Sequence, residues 1–148
     1  MNQKTLGVYY EHPEWFENFF NKLEQKGIDH IKLEGWNSSF NPGSAENNLG
    51  IDVIFNRMSP SAFNRGHENS IFYTLNYMKY LESLGLRIIN GYDAYTYEFS
   101  KSNQINLLRS LNIRHPKTYV TNHKEAILKS AKDLKFPIVL KPNIGGSG

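Results

Sequence analysis

The sequence contains no cysteine, which excludes disulfides and cysteine-ligated metal and suits a cytoplasmic setting. It also lacks any long apolar run. Residues 1–5 lead straight into a short apolar stretch without the h-region of a signal peptide, and nothing reaches the roughly 20 residues of a membrane-spanning helix. A run of one charge is missing too. The 17 basic and 14 acidic residues are mixed along the chain for a net charge of +3, so neither a nucleic-acid nor a membrane partner finds support. The five histidines, His12, His30, His67, His115 and His123, include no i, i+4 pair, which argues against a helical metal site. Internal repeats and low-complexity segments are absent.

What is present is 148 residues, 39% hydrophobic and 14% aromatic, enough for one globular domain or one domain plus part of another. Residues 6–10 read as a first strand. Pro13 stands where a first helical turn tolerates proline. Trp15, Phe16, Phe19, Phe20 and Leu23 then recur at helical spacing as a core face, and Gly27 stops the helix. Residues 28–33 alternate as a second strand, which completes a βαβ unit with a parallel pair and right-handed crossover. Residues 34–50 form a polar loop of the length that often carries function. A third strand follows at 51–55. A helix at about 70–84 carries Ile71, Leu75, Met78 and Leu81 and ends at Gly85, and a fourth strand spans 86–89.

The pattern changes after Gly91. Residues 92–100 show no clean period. Residues 101–111 predict a helix with Ile105, Leu108 and Leu111 on one face, and 118–121 a short strand. Asn122 is placed to cap a helix running to about residue 134, and 138–140 form a final strand. The expected fold is α/β: a small parallel-sheet domain over residues 1–90, then an incomplete α+β subdomain over 91–148. Ligands of open parallel sheets sit beyond the carboxyl ends of the strands. That puts residues 10–12, 56–59 and 90–91 along one rim. Arg57, with Asn56 beside it, has two readings there. It contacts a substrate carboxylate, or it pairs with a surface acid or ties down the long loop.

The tail, residues 136–148, reads Phe-Pro-Ile-Val-Leu-Lys-Pro-Asn-Ile-Gly-Gly-Ser-Gly. A lysine at a strand end precedes a glycine-rich loop, and glycine lets backbone N–H groups approach phosphate oxygens closely. The loop is not a Walker P-loop, which needs lysine and then Ser or Thr after its second glycine, and it lacks G-x-G-x-x-G. Gly145, Gly146, Ser147 and Gly148 by themselves also have the composition of a linker; the residues before them favour a native loop.

This tail resembles the glycine-rich loop region of ATP-grasp enzymes, and of RimK-like ligases in particular. The similarity runs upstream through Asn90-Gly91, Ser100-Lys101-Ser102-Asn103-Gln104, Leu107-Leu108 and Asn112-Ile113-Arg114-His115-Pro116-Lys117-Thr118. In that family a lysine opens a helix, the helix ends at a proline-threonine turn, and a strand and helix lead to a second lysine. The strand-end Asn56-Arg57 and Ser59-Pro60 look like the family's preceding domain. The resemblance is specific in the second part of the chain and general in topology before it.

The resemblance implies that Lys101 and Lys141 contact ATP, on the phosphates and near the adenine. It implies that Gly145, Gly146, Ser147 and Gly148 form the flexible loop over the β- and γ-phosphates. The family's Mg²⁺ ligands come from a later domain, as do the second adenine clamp and most acyl-phosphate positioning. Glu11, Asp52 and Asp93 do not match the ligand positions. The implied parent activity joins a small-molecule or peptide carboxylate to an amine through an acyl phosphate, with these 148 residues inactive by themselves. An open apolar edge at 138–140 implies fraying or association with another chain, and the loop is expected to be disordered. The alternative is a non-catalytic α/β nucleotide-binding or interaction module of flavodoxin-like type. It rests on the parallel pattern alone and leaves the second half unexplained.

Overall fold

The computed structural model describes residues 4–46 and 49–145. Its sheet has four parallel strands, β1 (Leu6–Tyr10), β2 (His30–Glu34), β3 (Val53–Asn56) and β4 (Arg87–Ile89), in the order β2-β1-β3-β4. Central β1 pairs on both sides: Leu6 lies opposite His30 and Val53, and Tyr9 opposite Leu33 and Asn56.

Side chains of a strand alternate between faces, and β1 shows what that achieves. Val8 and Tyr10 pack with Phe16, Phe20 and Leu23 of α1 (Pro13–Gln25). Tyr9 points the other way, into the larger cluster of Ile54, Ile71, Met78 and Leu81, shared with α2 (Glu68–Ser83). The Tyr9 hydroxyl donates to Thr74 Oγ1 at 3.1 Å, and Thr74 passes its own proton to the Ser70 carbonyl at 2.7 Å. Gly7 lets β1 approach Ile51, because a Cβ there would stand 2.9 Å from Ile51 Cδ1.

The α/β layer follows the sequence reading in its order of strands and long helices, and four differences stand out along the chain. Trp15 leaves the core face of α1: it is 62% exposed and stacks on His12 with ring centroids 4.1 Å apart. A helix, α3 (Tyr92–Phe99), forms where no period was read. Tyr92, Tyr95 and Phe99 in fact share one face at i, i+3 and i+7. Tyr95 is fully buried beside Ile71. The first turn of α3 is satisfied from α2, where Glu82 Oε1 accepts the Tyr92 N–H at 2.8 Å. The expected division after residue 90 therefore falls just before a helix that packs into the sheet's own core.

The third difference concerns the strands read at 118–121 and 138–140. Neither joins a ladder among the described residues. Val120, Val139 and Leu140 are 62%, 83% and 73% exposed. β-Branched composition reports how well a segment suits a pleated, half-buried surface, and without a partner strand it specifies nothing. The fourth is smaller. Of α4 (Lys101–Ser110) and α5 (Lys124–Ala131), neither has a fully buried residue, and His123 rather than Asn122 precedes α5. Among the described residues no helix is long and apolar enough to cross a membrane.

Candidate active site

β1 and β3 end side by side, and the Arg57 N–H donates to the Tyr9 carbonyl at 2.7 Å. Beyond them lies a cleft of about 100 Å³, lined by Glu11, His12, Trp15, Phe16, Arg57, Ser59 and Glu98. The exposed Arg57 guanidinium rests between the Phe16 and Phe55 rings, 5.8 and 5.6 Å from their centroids. Among the described residues no carboxylate lies within ion-pair distance of it. Glu98 reaches the same cleft from α3. Burial pushes its carboxyl above the ordinary value, and the charge of Arg57 draws it partly back. His12 Nδ1 is buried and has no hydrogen-bond partner among the described residues. The cleft thus offers a free cation and a carboxyl facing each other over an aromatic floor.

Asn56, expected beside Arg57 at the substrate, is 2% exposed and fully engaged. Its Nδ2 donates to the Asn90 carbonyl at 2.9 Å, and its Oδ1 accepts the Met58 N–H at 3.0 Å. Asn90, at φ 58°, returns a bond from its own amide to the Asn56 carbonyl at 3.2 Å. The pair ties the end of β3 to the end of β4 and so fixes the turn that presents Arg57.

The floor of the rim is a buried carboxylate, Glu11, which the sequence places on the rim without signalling its partners. Glu11 is 2% exposed. It accepts both from Arg65 Nε, at 2.9 Å to each oxygen, and from Arg65 Nη2, and it pairs with His67 Nδ1 at 2.6 Å. Burial pushes its pKa up, but the hydrogen bonds and charges of Arg65 and His67 outweigh this and hold it below the ordinary value. The His67 ring lies parallel to Trp36, centroids 6.0 Å apart. Arg65 ends a short 3₁₀ helix (Pro60–Arg65), whose entry is capped by Ser59 Oγ accepting the Ser61 N–H. Nothing in local spacing signals this trio, because its members lie 54 and 56 residues from Glu11.

A second cluster lies at the root of the glycine loop. Lys101 opens α4, and its ammonium donates to the Gly145 carbonyl at 2.9 Å. Gly145 is buried at φ 81° against Phe63 of the 3₁₀ helix, where a Cβ would lie 3.2 Å from the Phe63 Cβ. Two of the expected ATP contacts, Lys101 and Gly145, are therefore in direct contact. Lys141 is exposed and makes no hydrogen bond or ion pair to the described residues. Gly146, Ser147 and Gly148 lie outside the described residues. Among the described residues no group of three or more His, Asp or Glu is placed to hold a metal ion.

The fold of this chain, a parallel α/β layer followed by further helices, is shared with a solved RimK-domain ATP-grasp protein. The chain aligns over 96% of its length with the RimK domain ATP-grasp protein of Sphaerobacter thermophilus, at a TM-score of 0.70 and 16% identity, covering 50% of that chain. It aligns over 100% of its length with the ATP-grasp ligase PsnB, solved with a minimal precursor, at a TM-score of 0.61 and 14% identity, covering 58% of that chain. At such identities these likenesses show the fold. Among curated proteins it is similar to the alpha-aminoadipate–LysW ligase LysX of Sulfurisphaera tokodaii, 28% identical over 146 residues. That match takes in 97% of this chain and 48% of LysX. The chain thus spans about half the length of the curated relative it matches. No family model matches it.

Proposed function

We propose that this chain is the N-terminal part of an ATP-dependent carboxylate–amine ligase of RimK-like type. The observation that carries the reading is the meeting of Lys101 with Gly145, an ammonium held at the root of a glycine loop 44 residues away. Such an ammonium is a point charge suited to phosphate. In this reading Lys101 and Lys141 take ATP, with Gly145, Gly146, Ser147 and Gly148 as the loop over its terminal phosphates. The parent enzyme would form an acyl phosphate that an amine then attacks. Arg57 takes a carboxylate of a small-molecule or peptide substrate, and Asn56 sets its position. Mg²⁺ would be held by residues beyond those described here, in a cytoplasmic protein.

The same reading divides the chain into a preceding α/β domain at 1–90 and the start of the ATP-grasp domain at 91–148, with α3 as their packed junction. The 148 residues alone would not turn over. Their open apolar edge at 138–140 would favour self-association. The test uses the whole encoded protein, with ADP release followed in the presence of Mg-ATP, a carboxylate panel and an amine panel. Release should require both co-substrates and should fall in Lys101→Ala and Lys141→Ala through weakened ATP binding. ATP binding unchanged in both variants would refute the reading and leave a non-catalytic α/β module.

A further inference from the structure

The first turn of α4 is occupied by the loop root itself. The Lys101 N–H donates to the Asn143 carbonyl at 3.1 Å, and the Ser102 N–H to Asn143 Oδ1 at 2.8 Å. The Asn103 N–H donates to Ser100 Oγ at 3.4 Å, and Asn143 Nδ2 donates to that same Ser100 Oγ at 3.2 Å. One asparagine therefore answers two of the three first-turn donors and braces the group that answers the third. An open helix N-terminus would attract phosphate directly. Here its N–H groups are taken, and the cation left to act is the Lys101 ammonium.

We propose that Asn143 is a positioning residue for nucleotide: it latches the glycine-loop root to α4 so that the Lys101 ammonium and the Gly145 carbonyl share one fixed point. This rests on the ligase reading above, in which Lys101 meets phosphate. The geometry gives the latch its purpose. Only Ile144 separates Asn143 from Gly145, so fixing Asn143 against α4 brings the Gly145 carbonyl within reach of Lys101. Phe63 and the buried part of Ile144 close the other side. The lysine head is then held in place before nucleotide arrives, and less side-chain freedom is lost on binding. The phosphate only has to compete with one carbonyl for the ammonium.

The test compares Asn143→Leu, which keeps the size and removes the bonds, with Asn143→Asp, which keeps the acceptor for Ser102 and can accept from the Ser100 hydroxyl. Both are made in the whole encoded protein, beside Lys101→Ala. Mg-ATP is titrated calorimetrically, and KM for ATP and kcat are measured separately. Asn143→Leu should weaken ATP binding and raise its KM about tenfold, the scale of one or two net hydrogen bonds, with kcat within about twofold. Asn143→Asp should recover most of the affinity. If Lys101→Ala loses ATP while Asn143→Leu binds like wild type, the latch is refuted and the ligase reading stands. Equal loss in the Leu and Asp variants, tracking melting temperature, would refute positioning in favour of stability alone. If wild type binds no ATP, both readings fall.

Discussion

Glu11→Gln tests the rim most directly, because it keeps the shape of the side chain and removes its charge. Removing one member of a buried ion pair costs about 3–5 kcal/mol when the partner stays stranded. The side chains of Arg65 and His67 are 25% and 37% exposed, so water can reach them once the charge is gone. The bidentate geometry keeps the loss above that of a surface pair, and about 2 kcal/mol is the expected result. Urea unfolding followed by tryptophan fluorescence measures it, since Trp15 lies over Arg65 at 5.5 Å and Trp36 lies on His67. The pH dependence has a definite sign. The folded-state pKa of Glu11 is below the ordinary 4.5, so its stabilisation is complete above that value and disappears as pH falls through the lower folded one. The gap between wild type and variant should be full near neutral pH and should close in acid below the ordinary carboxylate range. A gap under about 0.5 kcal/mol at neutral pH, or one of constant size down to acid unfolding, would refute the account of Glu11 as a paired, ionised group.

Tyr9→Phe should cost about 1 kcal/mol in the same assay, because Thr74 loses the Tyr9 donor but keeps its bond to Ser70. A loss near zero would mean that the buried hydroxyl contributes nothing net. In the 148-residue chain, Leu128→Lys and Val139→Lys should each change stability by less than about 0.5 kcal/mol, since these side chains are 74% and 83% exposed. A large loss in either would show that the segment packs after all.

The first part of the fold was legible because its signals are local and agree with one another. The phenylalanine spacing of α1 and the alternation of β1 both describe the two faces of one sheet, and burial enforces both. Trp15 fits the same stripe but sits at its margin, where stacking on His12 competes with burial. α3 was missed although Tyr92, Tyr95 and Phe99 carry the period, because short aromatic segments suit strand and helix alike and its cap comes from Glu82 in another element. The strands read at 118–121 and 138–140 failed for the opposite reason: their local signal is good, but among the described residues no strand pairs with them, and propensity without pairing specifies nothing. What organises that region among the described residues is polar. Lys117 Nζ donates to the Asp133 carbonyl at 2.9 Å, and the Tyr119 hydroxyl to Asp133 Oδ2 at 3.2 Å.

The site divides along the same line. Arg57 was singled out from its place after a strand, a rule of topology that needs no contact map. Lys101 and Gly145 were singled out from a motif, and the fold supplies the contact between them. The same topological rule put Glu11 on the rim, but its pairing with Arg65 and His67 was not legible, since it depends on a 3₁₀ helix returning to the end of β1. Lys101 and Lys141 look equivalent in sequence, yet the structure places them in unlike surroundings. Lys101 is held by its own helix and by Gly145, whereas Lys141 stands exposed between Leu140 and Pro142 with nothing described to hold it. Ordering a free residue costs about 1–2 kcal/mol of backbone freedom before any contact is gained. If the chain takes ATP as proposed, phosphate should engage Lys101 first, and Lys141 should contribute only where further packing orders the stretch that carries it.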